Sequence, residues 1–277
     1  MHFGISTILY GDRPLAREHL AAFAAHGFAT VELFAVRGHF DYQDAAVVDA
    51  LAGWLAETGL TLHSVHAPVV DRIDGERWGA PLSIASADAG RRARAVREVE
   101  AALAIAARVP FRHLVVHVGT PDRYAAAPAD DTPEAARRSL EALAPRASGL
   151  GVRLALEVLR NRLSSVEALV GLIDDLEIPG AGLCLDFGHV HRMDGLVDGI
   201  EAASGHITTT HVHDVRGDDD HLVPFAGTID WGAALMAAQK VGYEGPFVLE
   251  LAGRGGPADV LRRARQACRE LEALDTW

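Results

Sequence analysis

The chain has 277 residues, 49% of them hydrophobic, and carries 26 Lys+Arg against 38 Asp+Glu for a formal net charge of −12 at pH 7. That length suits one α/β barrel of about 250 residues, and the acidity gives no bulk electrostatic reason to bind nucleic acid. No run approaches the ~18 apolar residues needed to span a bilayer, and the start lacks a signal-like segment. The two cysteines, Cys184 and Cys268, have no partner spacing, so the expected location is a reducing cytoplasm, away from membranes.

Eight short β-type runs begin near Phe3, Thr30, Thr61, His113, Arg153, Gly182, Ile207 and Pro246. Helical spacing of apolar residues separates them, as in Leu20 and Phe23, then Val48, Leu51 and Leu55, then Val96, Val99 and Leu103. Thr132-Pro133-Glu134-Ala135 offers an N-cap with proline at the first helical position, and Ser164-Ser165-Val166-Glu167 a second start. Gly27, Gly59, Gly151 and Gly242 mark helix ends that call for a left-handed residue. Strand and helix alternating eight times predict a single α/β domain over residues 1–277, a (β/α)8 barrel.

Turns from helix to strand are short, whereas Ala67–Gly90, Gly119–Asp131 and Asp214–Ile229 are long strand-to-helix connections. Long connections at that end of a barrel point to an active site at the C-terminal ends of the strands. The same end collects acids and imidazoles: His66, His117, Glu157, Asp186, His211 and Glu250 each close an apolar run. A carboxylate at the edge of a core is costly unless it is paired or holds a metal. Glu157, Asp186, His211 and Glu250 therefore read as three carboxylates and one imidazole around a divalent cation, with Mn²⁺, Zn²⁺, Mg²⁺ or Co²⁺ as candidates. His213 shares the strand phase of His211 and is the alternative ligand. His66 and His117 face the same mouth as substrate contacts or ligands of a second ion, and His189, three residues past Asp186, can turn back over the metal. Arg216 can approach a substrate oxygen or phosphate from the loop after the seventh strand. Asp12, Arg13 and Glu32 read as rim residues, and Phe34 and Trp78 either as an apolar wall of the pocket or as loop packing. No glycine-rich dinucleotide or phosphate loop is present, so no organic cofactor is expected.

These residues resemble the xylose isomerase-like barrels, which include sugar and sugar-phosphate isomerases and epimerases and the zinc-dependent apurinic endonucleases. The resemblance covers nearly the whole chain and rests on Leu156-Glu157, Leu185-Asp186-Phe-Gly-His189, His211-Val-His-Asp214, Asp219-Asp-His221, Gly227-Thr-Ile-Asp-Trp231 and Val248-Leu-Glu250-Leu. It implies Glu157, Asp186, His211 and Glu250 as ligands of a catalytic metal, with His189 on the substrate. The endonuclease branch would add a site on His66, His117 and Glu157 and a third on His189, Asp219 and His221. Against that branch stand the acidic charge and Leu222-Val-Pro-Phe-Ala, which replaces a glycine-rich segment. The leading expectation is an enzyme: a metal-dependent isomerase or epimerase of a sugar, sugar phosphate or polyol-derived ketone, working through an enediolate with Glu157 and Glu250 as acid and base. A zinc phosphodiesterase and a lyase or dehydratase on the same barrel are the alternatives. The expected partner is a small carbohydrate rather than nucleic acid, and a homo-oligomer is compatible with the sequence.

Overall fold

A computed structural model describes residues 1–121, 130–178, 180–193, 195–253 and 255–274, with the side chain of Asp219 outside the described set. The eight expected runs form strands β1 (Phe3–Ser6), β2 (Thr30–Phe34), β3 (Thr61–His66), β4 (His113–His117), β5 (Arg153–Glu157), β6 (Gly182–Asp186), β7 (Ile207–Val212) and β8 (Phe247–Leu249). All neighbours pair in parallel, and the sheet closes on itself in sequence order, β8 lying against β1. Outward residues such as Leu114, Leu154, Leu156, Leu183 and Leu185 pack under the helices in one continuous core. The barrel's own interior is a smaller layer that includes Val115, Ala155 and Cys184, so Cys184 is a small core residue.

The helices start where their caps dictate. Thr132 accepts the Ala135 N–H ahead of Pro133–Gly149, and Ser165 accepts that of Ala168 ahead of Val166–Leu176. Gly27, Gly59, Gly151 and Gly242 all take the left-handed conformation. Two features depart from simple alternation. Register shifts insert an extra residue in β3, so that Glu32 pairs with Ser64 instead of residue 63, and another in β7, where Cys184 pairs with Thr209. The long connections also carry structure of their own. Ile73–Asp74 pairs with Arg77–Trp78 after β3, and Asp214–Arg216 pairs with Asp219–Leu222 after β7. Of the Gly119–Asp131 connection, residues 122–129 lie outside the described residues.

Candidate metal centre

The mouth at the C-terminal ends of the strands opens into a cavity of about 510 Å³. Its floor is built by register. His117 pairs with Glu157 across β4 and β5, and Asp186 pairs with His211 across β6 and β7, so the members of each pair emerge side by side. Glu250 follows β8 directly, and His211 is the penultimate residue of β7 rather than its last. Glu157, Asp186, His211 and Glu250 each place a ligand atom within 4.8 Å of the others, and all four are buried. His211 Nδ1 lies 3.3 Å from Glu250, 3.4 Å from Glu157 and 4.0 Å from Asp186.

That nitrogen is buried and has no hydrogen-bond partner. A buried polar atom left unpaired among three carboxylates is costly unless positive charge sits between them. Three oxygen donors and one imidazole are also a suitable set for Mn²⁺, Mg²⁺, Co²⁺ or Zn²⁺. The residues therefore fit a divalent cation. Their electrostatics agree with a site that gathers positive charge. Burial alone would lower the His211 pKa, but the surrounding acids, with Glu250, Glu32 and Glu157 among them, raise it well above the usual imidazole value. Burial raises Glu250 to about 7, with Glu157 and Asp186 adding to the rise and His211 and His66 opposing it. Glu157 goes the other way: despite burial, His117 and His211 hold it well below the ordinary carboxylate range.

Two further groups adjoin the first. His66 and His117 both point Nε2 at Glu157 Oε2, at 3.0 and 2.9 Å, so Glu157 faces His211 with one oxygen and two histidines with the other. His189, His213 and His221 form a third cluster within metal-binding distance of one another. The structure separates His211, in β7, from His213, just past its end, by what each side chain faces. His211 aims into the four-residue cluster, whereas His213 backs Asp186, its Nε2 lying 3.0 and 3.2 Å from the two carboxylate oxygens. The His189 backbone N–H also donates to Asp186, at 2.8 Å. Gly188 makes room for this arrangement, since a Cβ there would lie 2.0 Å from the His213 ring. His221 reaches the site because its own N–H donates to His213 Nδ1, at 3.0 Å.

Phe34 and Trp78 line the cavity with ring centroids 6.0 Å apart, as an apolar wall. Arg216 is exposed and is not among the cavity-lining residues. The two-residue turn after it reverses the chain, and among the described residues the arginines that reach the cavity are Arg160 and Arg192. Arg192 is anchored by Asp220 and by the Gly217 carbonyl. The Asp219 side chain lies outside the described residues; its neighbours Asp218 and Asp220 line the cavity. Glu32, expected on the rim, instead lies in the interior. It is 0% exposed, inside the barrel, with Oε2 3.1 Å from His211 Nε2. The signal in the sequence is its phase, two residues before Phe34 and between the apolar Val31 and Leu33.

The model of the xylose isomerase-like TIM barrel matches residues 20–273. The chain belongs to that family. An L-ribulose-5-phosphate 3-epimerase of Salmonella paratyphi A is 29% identical over 205 residues, which cover 73% of this chain and 68% of that protein. A D-tagatose 3-epimerase-like protein superposes with a TM-score of 0.79 at 22% identity, covering 99% of this chain and 97% of its own. The IOLI protein, crystallised with a zinc atom, superposes at 0.78 with 17% identity and 98% coverage of both chains. These two structures share the barrel with this family member.

Proposed function

We propose that this protein is a divalent-metal-dependent epimerase or isomerase of a sugar or sugar-derived ketone. The observation that carries the reading is the placement of two glutamates, Glu157 and Glu250, in one buried cluster with Asp186 and His211 at the floor of a sugar-sized cavity. The epimerase relatives support a carbohydrate substrate, and the zinc-containing structural neighbour supports metal binding by this type of barrel.

Glu157, Asp186, His211 and Glu250 would hold the cation. When bound, it supplies Lewis-acid polarisation of a substrate carbonyl and offsets the negative charge that develops beside it. The protein side chains do the rest. Glu157 and Glu250 come from strands three apart in the ring, so they approach a substrate on the cluster from different sides. One glutamate removes the proton from the carbon next to the carbonyl, which leaves an enediolate. The other returns a proton to the opposite face, inverting that carbon; return to the neighbouring carbon would interconvert aldose and ketose. His66 and His117 hold Glu157 from behind, His189 and His221 face the cavity to orient hydroxyls, and Phe34 and Trp78 cover the apolar face of the sugar.

The test is solvent deuterium exchange into a panel of ketoses and ketose phosphates by the metal-loaded protein. Glu250→Gln keeps shape and an oxygen donor but loses the base, so exchange should fall at least 10²-fold while the barrel stays folded. Exchange by Glu250→Gln at the wild-type rate would remove the two-glutamate mechanism. The two histidine-rich clusters beside the first favour one other reading, a three-zinc phosphodiesterase. Three zinc ions retained per chain after dialysis, with cleavage of an abasic duplex, would establish that activity instead.

A further inference from the structure

We infer that Glu32 is a positioning residue that fixes the imidazole of His211 and thereby sets the affinity of the four-residue cluster for its cation; this rests on the metal-dependent reading above. Glu32 lies on β2, across the barrel interior from β7, and is fully buried. Its Oε2 accepts from His211 Nε2 at 3.1 Å and from the Ser64 hydroxyl at 2.7 Å, while Oε1 has no hydrogen-bond partner. No arginine or lysine pairs with it among the described residues. A carboxylate buried on such terms is expensive, so the fold retains it against a cost in stability.

The geometry shows what that cost secures. A neutral imidazole carries one N–H. With that proton held on Nε2 by Glu32, Nδ1 is the nitrogen available to ligate, and it is aimed at oxygens of Glu157, Asp186 and Glu250. Around a divalent cation it is what a ligand should present, and a carboxylate behind a histidine ligand also raises the basicity of the ligating nitrogen. The register shift in β3 belongs to the same device. Without the extra residue, position 63 would oppose Glu32 and the Ser64 hydroxyl would turn toward the helices. The inserted residue puts Ser64 opposite Glu32, where it holds the carboxylate in line with His211.

The experiment measures Zn²⁺ and Co²⁺ affinity by competition with a chelator for the wild-type protein, Glu32→Gln and Ser64→Ala, alongside nitrogen-15 NMR of the zinc-loaded wild type. Expected are a 10–100-fold weaker affinity for Glu32→Gln, a smaller loss for Ser64→Ala, and a His211 proton on Nε2 with Nδ1 shifted by the metal. Affinity within twofold of wild type in a folded Glu32→Gln protein would overturn the inference. So would a His211 proton on Nδ1 in the zinc-loaded wild type, a result that stands even if the variant does not fold. A wild-type protein that binds neither ion would bring down the metal reading itself, and this inference with it.

Discussion

Asp214→Asn should loosen the entire loop that carries His221, because one carboxylate organises it. Asp214 Oδ1 accepts the backbone N–H groups of Val215, Thr228 and Ile229 at 2.8, 2.9 and 3.2 Å, and Oδ2 accepts the Trp231 indole N–H at 3.1 Å. Asp214 and Trp231 are both buried. Asparagine can keep an oxygen on the three backbone donors, but its amide NH₂ then faces the indole N–H, donor against donor. Hydrogen bonds to a charged acceptor are worth ~1.5–3 kcal/mol against ~1 for neutral ones, and a buried unpaired N–H costs ~1–3 kcal/mol. Together these give a destabilisation of about 3–5 kcal/mol, or roughly 10 °C in Tm at ~2–4 °C per kcal/mol. Trp231→Phe alone should cost ~1–3 kcal/mol, since it strips the donor from Oδ2. The double variant removes the donor clash, so it should be at least ~1 kcal/mol less destabilised than the sum of the singles. Equilibrium denaturation of the four proteins measures that coupling. Additivity within ~0.5 kcal/mol would refute the assignment of Trp231 as a direct partner of Asp214.

Gly188→Ala should drive the His213 ring off Asp186, because the new Cβ falls 2.0 Å from it; Zn²⁺ affinity should drop about tenfold or more, and unchanged affinity would count against His213 as the support of Asp186. His113 is buried with Nδ1 unpaired, and burial first, then His63, depresses its pKa to about 3. Between pH 6.5 and 4.5 the unfolded chain protonates this residue and the folded one does not, so stability falls as pH falls; His113→Phe should gain on the wild type by on the order of 2 kcal/mol across that window. Urea denaturation of both proteins at the two pH values checks it, and a constant difference would contradict the buried neutral imidazole. Arg216→Ala should leave KM within about twofold, whereas Arg192→Ala, at the cavity wall, should raise it about tenfold or more; the reverse order would restore Arg216 to the substrate.

The sequence by itself determined the barrel, because period-2 and helical apolar patterns are local and repeat eight times. It also determined the four-residue cluster, because Glu157, Asp186, His211 and Glu250 stand at or beside the ends of apolar strands that must meet at one mouth. Only the tertiary structure placed His211 in that cluster and His213 beside it with His189 and His221. Side chains two apart on a strand share a face, and what parted them was depth: one aims into the cluster, while the other packs against Gly188 behind Asp186. The register shifts were equally hidden. His63 and His66 are three residues apart, which strict alternation sends to opposite faces. Yet His63 lies 3.1 Å from Thr209 and His66 lies 3.0 Å from Glu157, both inside the barrel, because the extra residue in β3 resets the phase. The same reset brings Ser64 to Glu32. A bulge is a property of two paired strands, and no local pattern in one of them specifies it. The direction of Arg216 was hidden for a related reason: it is set by the reversal at residues 217–218 and by the four donors gathered on Asp214, contacts that span the chain from 214 to 231.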